Sequence, residues 1–135
     1  MLISTQRFGD LEPRADNTFK LMRPMAGFPN TKALVLVERP GQFPFFWLQS
    51  LEEPGVAFAC APMVAMRADY DLQLASWDSA QWGPLQPQQV VGVLSFQPEA
   101  SINLAAPVLL DRAKGLALQV LNSKGSYGFQ ESLQA

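Results

Sequence analysis

The stretch FPFFWLQSLEEPGVAF, residues 43–58, decides the fold. Phe45, Phe46 and Trp47 run together, Glu52-Glu53-Pro54-Gly55 follows, and apolar character returns at VAFACA, residues 56–61. Aromatic and β-branched runs on either side of a Pro-Gly turn read as a β-hairpin, with strands at 45–51 and 56–61. In an extended strand Phe45, Trp47 and Gln49 share one face, and Phe46, Leu48 and Ser50 the other. Neither face is cleanly polar. A closed barrel needs an apolar interior, which sends Phe46 and Leu48 inward and leaves Trp47 outside beside the polar handle of Gln49, as on a partner surface. The competing arrangement packs Trp47 beneath a helical insertion or a terminal strand.

Working outward, LISTQRFG (2–9) reads as an opening strand ending in a glycine turn, and NTFKLM (17–22) and KALVLVE (32–38) as strands around the turn-rich RPMAGFPN. DYDLQLA (69–75) alternates with a period of two, so a strand is expected with Tyr70, Leu72 and Leu74 on one face. SWDSAQWG (76–83) is the only helix expected, with Ser76 as its cap, Asp78 in its first turn and Gly83-Pro84 as its stop. QVVGVLSFQ (89–97) is a strand with a bulge at Gly92. SINL (101–104), PVLLD (107–111) and LALQVLN (116–122) complete the set, the last two joined by RAKG. The expectation is an all-β chain: a small closed or nearly closed β-barrel of about nine short strands with one short helical insertion. Closure suits a sequence that protects few of its strand edges with charge.

A chain of 135 residues, with 11 prolines and 9 glycines, fits a single domain spanning residues 1–135. It is 48% hydrophobic and 16% charged, against about 25% charged in an average soluble domain. Part of its surface is therefore expected to be apolar. The start MLISTQRFGD lacks a basic-then-apolar leader, no apolar run reaches the ~20 residues of a membrane span, and the lone Cys60 fits a reducing compartment. The expected location is the cytoplasm. Residues 40–111 carry Arg67 against Glu52, Glu53, Asp69, Asp71, Asp78, Glu99 and Asp111, and the net charge of the whole chain is −2. This is either ordinary scatter or an acidic patch that attracts a basic protein and repels phosphate backbones. No basic stripe suggests direct nucleic-acid binding.

The chain has no histidine, which removes the commonest general base and metal ligand. Cys60, between two alanines in an apolar strand, reads as buried and inert. Glu52 and Glu53 lie in a hairpin turn, where solvation accounts for acidity. Asp69 and Asp71 share a polar face, but no third oxygen ligand stands at a calcium-loop spacing. All four carboxylates are expected to be exposed. Asn103 suits a turn-stabilising side chain and Pro107 the first position of a strand. No phosphate loop or nucleophile motif is present. The residues thus describe a non-catalytic binding module without cofactor or metal.

The opening hairpin also carries a resemblance. FFWLQSLEEPGVAF (45–58) resembles the signature of the FliW family of flagellar assembly factors, with its Phe-x-Trp-Leu-Gln-Ser core, acidic-Pro turn and returning Ala-Phe. ISTQRFG (3–9), Gly27-Phe28, Pro62, Tyr70, NLAAPVLL (103–110) and GLALQVLNSKGSY (115–127) are similar to further family blocks, in order. Two positions depart from the pattern: LMRPMAGF (21–28) has Pro24 in place of a glycine and Leu21 in place of a phenylalanine, and Gln130 replaces the family's arginine. The resemblance implies a cytoplasmic β-barrel regulator that is not an enzyme; a monomer is expected. It implies two protein partners: newly made flagellin, bound through its terminal segments, and the basic RNA-binding regulator CsrA, whose sequestration relieves repression of flagellin translation. Candidate partner-binding residues are Trp47, Gln49, Glu52, Glu53, Asp69, Tyr70, Asp71, Asn103 and Pro107. The alternative is a small-ligand or peptide-binding barrel unrelated to flagella, with Trp47 and Tyr70 as its platform.

Overall fold

The computed structural model describes residues 1–133. A two-stranded hairpin, β1 (Ile3–Thr5) and β2 (Gly9–Leu11), opens the chain. Then follow β3 (Thr18–Leu21), β4 (Ala33–Val37), β5 (Phe46–Ser50), β6 (Ala57–Pro62), the one-turn helix α1 (Met63–Met66) and the helix α2 (Ser76–Trp82). A 3-10 turn at Pro87–Gln89 leads into β7 (Val90–Ser95), β8 (Ser101–Asp111), β9 (Leu116–Gln119) and β10 (Glu131–Ser132). Strands β3 to β9 close into a seven-strand barrel in the order β8-β7-β6-β5-β4-β3-β9, with β9 returning to β8. Every pair is antiparallel except β3 with β9. The expected small closed barrel is the observed one.

Register explains the interior. Leu36, Leu48 and Phe58 align across β4, β5 and β6, and Phe46, Cys60 and Val93 across β5, β6 and β7. Both rows point into the core with Phe19, Leu34, Val108 and Leu110, and burial of each large side chain contributes roughly 1.5–3 kcal/mol. Phe46 and Leu48 face inward as read from the alternation. The outside is also largely covered. α1 and the 127–133 segment pack around Leu94, Ile102 and Leu104, and Leu72, Leu74, Trp82 and Leu85 lie over Leu109, Leu118 and Val120.

Several expectations need correction. Residues 69–75 alternate in burial, yet they form no strand. Their period comes from Leu72 and Leu74 resting on the barrel, while their backbone bonds to Asn122 and Ser123 instead of a ladder. SINL and PVLLD are one strand, β8, rather than two. α1 is a second helix that four residues of MVAM could not announce. Ala75, not Ser76, caps α2, and no side chain bonds there. Asp78 and Gly83, the latter at φ 63°, do stand where expected.

The bulge at Gly92 is present, as the register slips between Val91 and Val93. Val91 faces Val108 while Val93 faces Asn103, so residues 104–107 of β8 have no opposite number on β7. Gly92 is needed for a steric reason: a Cβ there would lie 2.6 Å from Cδ1 of Ile102 and 3.3 Å from Cε of Met63. Gly92→Ala is therefore expected to cost about 1–3 kcal/mol by overpacking. Ile102→Val removes the clashing methyl, so in urea melts the double variant should be more stable than the two single losses sum to. Strict additivity would mean that the glycine serves another purpose.

Candidate functional site

The candidate residues fall into two groups. The first surrounds the β5–β6 hairpin. Trp47 points outward and is half-buried, its ring 5.7 Å from that of Phe8 at an edge-on angle and 4.4 Å beneath the Arg7 guanidinium. The turn of the β1–β2 hairpin thus lies over one side of the indole, which is the terminal-strand packing weighed above. The open side faces a groove of about 390 Å³ shared with Phe45, Ala59, Leu94 and Phe96. Gln49 is not an exposed handle: it is 0% exposed, and its amide Nε2 donates to the carbonyls of Ser50, Glu53 and Pro54 at 3.0, 3.3 and 3.4 Å. It holds the turn from behind.

The acidic turn is likewise more than a solvated tip. Glu52 Oε1 accepts from the backbone N–H groups of Lys32 and Ala33 at 2.8 and 3.2 Å, where β4 begins. Glu53 is half-buried and accepts from the buried Thr31 hydroxyl at 3.1 Å, which also meets Ser50 Oγ at 2.9 Å. Glu52 is exposed as expected while Glu53 is half-buried, which corrects the expectation for Glu53, and both tie the hairpin turn to the entry of β4.

The second group gathers around β8. Asn103 Oδ1 accepts from Ala106 N–H at 2.9 Å, and Pro107 is buried at the end of the bulge. The Tyr70 hydroxyl donates to the Leu104 carbonyl and accepts from Asn122 Nδ2 at 3.0 Å. Asn122 also donates to the Asp71 carbonyl and accepts from the N–H groups of Gln73 and Lys124. Tyr127 stacks at 4.8 Å on Tyr70 and accepts from Asp71 N–H at 3.0 Å. Asn122, at the end of LALQVLN, is the hub that sequence reasoning missed.

The acidic surplus of residues 40–111 is answered only in part by cations from elsewhere in the chain, at Asp71 and Asp78. Asp69 pairs with Arg67 and Asp71 with Lys124, both at 3.1 Å, and the Asp71 bond raises the Lys124 pKa. Asp78 is buried 3.7 Å from Arg23. Cys60 is buried, and burial pushes its thiol far above the usual range, away from nucleophilic reactivity. Among the described residues no group of three or more His, Cys, Asp or Glu could hold a metal ion, and no helix is long and apolar enough to cross a membrane.

Burial raises the Tyr70 phenol above its ordinary value, partly offset by the Asn122 hydrogen bond and reinforced by Tyr127. The folded state thus holds this proton more tightly than the unfolded chain does. Its contribution to stability is complete below the ordinary phenol value of about 10 and is lost as pH rises through the raised folded value. Tyr70→Phe should lower stability at neutral pH by removing the bond to Leu104, yet lose less on further alkaline titration than the unaltered protein. Urea melts from about pH 8 to 11 read the difference; parallel curves would show that Tyr70 ionises without consequence.

Residues 2–133 match the family model of the FliW protein. The flagellar assembly factor FliW of Syntrophotalea carbinolica is 29% identical over 133 residues, covering 96% of this chain and 95% of the relative. That of Heliobacterium modesticaldum is 30% identical, covering 94% of this chain and 86% of the relative. A crystal structure of the flagellar assembly factor FliW shares the fold, with a TM-score of 0.84 over 100% of this chain and 98% of that chain at 24% identity. The hairpin signature, the β8 bulge built by NLAAP and the near-complete match lead to one conclusion: the chain belongs to the FliW family.

Proposed function

We propose that this chain is a non-catalytic flagellar assembly factor that works as a monomer in the cytoplasm. It binds newly made flagellin through flagellin's terminal segments and sequesters the translational regulator CsrA, relieving repression of flagellin synthesis. The observation that carries this reading is the family match over residues 2–133, together with relatives that are flagellar assembly factors over nearly their whole length.

The surface supports a protein partner. Trp47 keeps one open face on the groove beside Phe45 and Phe96, which are 42% and 53% exposed. Amphipathic segments gain order by laying apolar side chains on such a surface. In this reading Trp47 touches the partner and Gln49 fixes the hairpin that presents it, while Glu52, Glu53, Asp69 and Asp71 supply the acidic field for a basic regulator. Tyr70, Asn103 and Pro107 contribute by shaping the bulge next to Asp71.

Flagellin should be retained by the immobilised protein when full-length and lost when its C-terminal segment is removed. Equal retention of both would sink the terminal-segment reading, and retention of neither would sink the flagellin reading altogether. For CsrA, Glu52→Gln with Glu53→Gln removes two charges while keeping acceptors for Lys32, Ala33 and Thr31. This pair should slow association several-fold and flatten its salt dependence, with screening felt over ~8 Å at physiological salt. Stability should fall by about 1–2 kcal/mol, the difference between charge-assisted and neutral hydrogen bonds at the turn. Stopped-flow association at low and high salt measures this, and salt-independent association of the unaltered protein would assign the contact to apolar surface instead.

A further inference from the structure

Arg7, Phe8, Trp47 and Arg39 form a stack in which cations enclose a pair of rings. The Arg7 guanidinium lies 4.4 Å from the centroid of the Trp47 ring, Phe8 meets Trp47 edge-on at 5.7 Å, and the Arg39 guanidinium lies 5.1 Å from the Phe8 ring. Each cation is drawn to the negative face of a ring, and the edge-on ring pair adds a favourable contact of its own. The barrel supplies Trp47, on β5, and Arg39, just beyond β4. The β1–β2 hairpin supplies Arg7 and Phe8, which are neighbours in its turn.

Little else fastens that hairpin. It is a sheet of its own with no ladder to the barrel. Among the described residues its one backbone bond to the barrel runs from the Gln6 N–H to the Pro54 carbonyl, at 3.0 Å. Two cavities undercut it. One, of about 420 Å³, has Gln6 and Arg7 in its walls with Gln49 and Gly55. The other, of about 540 Å³, has Phe8, Asp10 and Leu11 in its walls with Val35 and Val37. Gln49 Oε1 is buried and accepts no bond among the described residues, and a buried acceptor left unmet costs stability. The hairpin is thus an imperfect cover, of the kind that opens locally before the rest of a fold.

We propose that the β1–β2 hairpin sits, as an internal mimic, in a seat for a partner-protein segment in which a basic residue directly precedes an aromatic one, and that the hairpin lifts when such a segment arrives. This rests on the reading of Trp47 as a partner contact and extends that contact from the open side of the indole to the covered one. The occupant's chemistry is that of the segment already seated there: a ring held between Trp47 and Arg39, and a cation against the indole. The 420 Å³ cavity beside Trp47 has no carboxylate in its walls, so the ring face, not an ion pair, selects the cation. A donor on the incoming segment can also meet Gln49 Oε1, which the hairpin leaves unmet. The tethered hairpin competes at high effective concentration, so only a segment that binds better than it does gains the seat.

The test empties the seat in the full chain with Arg7→Ser and Phe8→Ser together, and follows a labelled peptide of residues 4–10, STQRFGD, by fluorescence anisotropy. The peptide should bind the emptied chain at least about ten-fold more tightly than the unaltered one, which its own hairpin blocks. Peptides with glutamate for the arginine, or serine for the phenylalanine, should lose that gain. Arg39→Ser added to the emptied chain should weaken the peptide several-fold. In hydrogen exchange of the unaltered protein, β1 and β2 should open well before β5. Equal binding to both chains, an equal gain for the glutamate peptide, no effect of Arg39→Ser, hairpin exchange as slow as that of β5, or an emptied chain that no longer folds would each overturn the proposal. So would an oligouridylate that binds the emptied chain in place of the peptide, or a dimer of the unaltered protein lost on emptying the seat, since a second copy would then be the occupant. Flagellin is absent here: a gain in peptide binding without retention of flagellin leaves the seat standing and removes the flagellin reading, and retention without the gain does the reverse.

Discussion

Closing this barrel requires one strand to serve different neighbours along its length, and four residues in the middle of β8 make that possible. Residues 101–103 pair with β7 and β10, and residues 108–111 with β7 and β9. Between them residues 104–107 leave the ladder while staying buried, where each orphaned backbone group would cost about 1–3 kcal/mol. None is orphaned. The Gly128 carbonyl takes the N–H groups of Leu104 and Ala105, the Asn103 side chain takes that of Ala106, and Pro107 has none to satisfy. The four carbonyls are met by Tyr70, Asn122 N–H, Gln119 Nε2 and Val120 N–H. Barrel closure therefore depends on segments far apart in the chain arriving together.

That dependence explains the layered exterior. Tyr70 can reach Leu104 because residues 67–75 are held to Asn122 and Ser123, and the same strap lays Leu72 and Leu74 over β8 and β9. The C-terminal segment completes the cover, with Tyr127 against Tyr70 and Leu133 against the Leu94 cluster. Apolar side chains remain in solvent at Phe43, Phe45 and Phe96 beside β5, and also at Trp77, Leu121 and Phe129 away from it.

The distribution of charge follows a similar logic. Carboxylates that cluster along the sequence separate into structural tethers at Glu52 and Glu53, local pairs at Asp69 and Asp71, and a buried group at Asp78. The field that remains is smaller than the linear count suggests.

By itself the sequence determined most of the strands, the inward row of Phe46 and Leu48, the bulge at Gly92, the small helix at 76–82 and the family. Each of these is written in local pattern: period-two alternation, Pro-Gly turns, a glycine inside an apolar run, and the hairpin signature. Tertiary structure decided the rest. Alternation at 69–75 looks the same whether a segment pairs in a sheet or lies across one, because burial on one side produces the same period as a ladder. Gln49 and Asn122 bond mostly to backbone groups, and backbone groups leave no mark in a sequence. Exposure of Trp47 and Phe43 depends on whether another segment covers them; Phe8 reaches one and nothing reaches the other. Which surface stays open is settled by the packing of distant segments, and only the closed barrel brings those segments together.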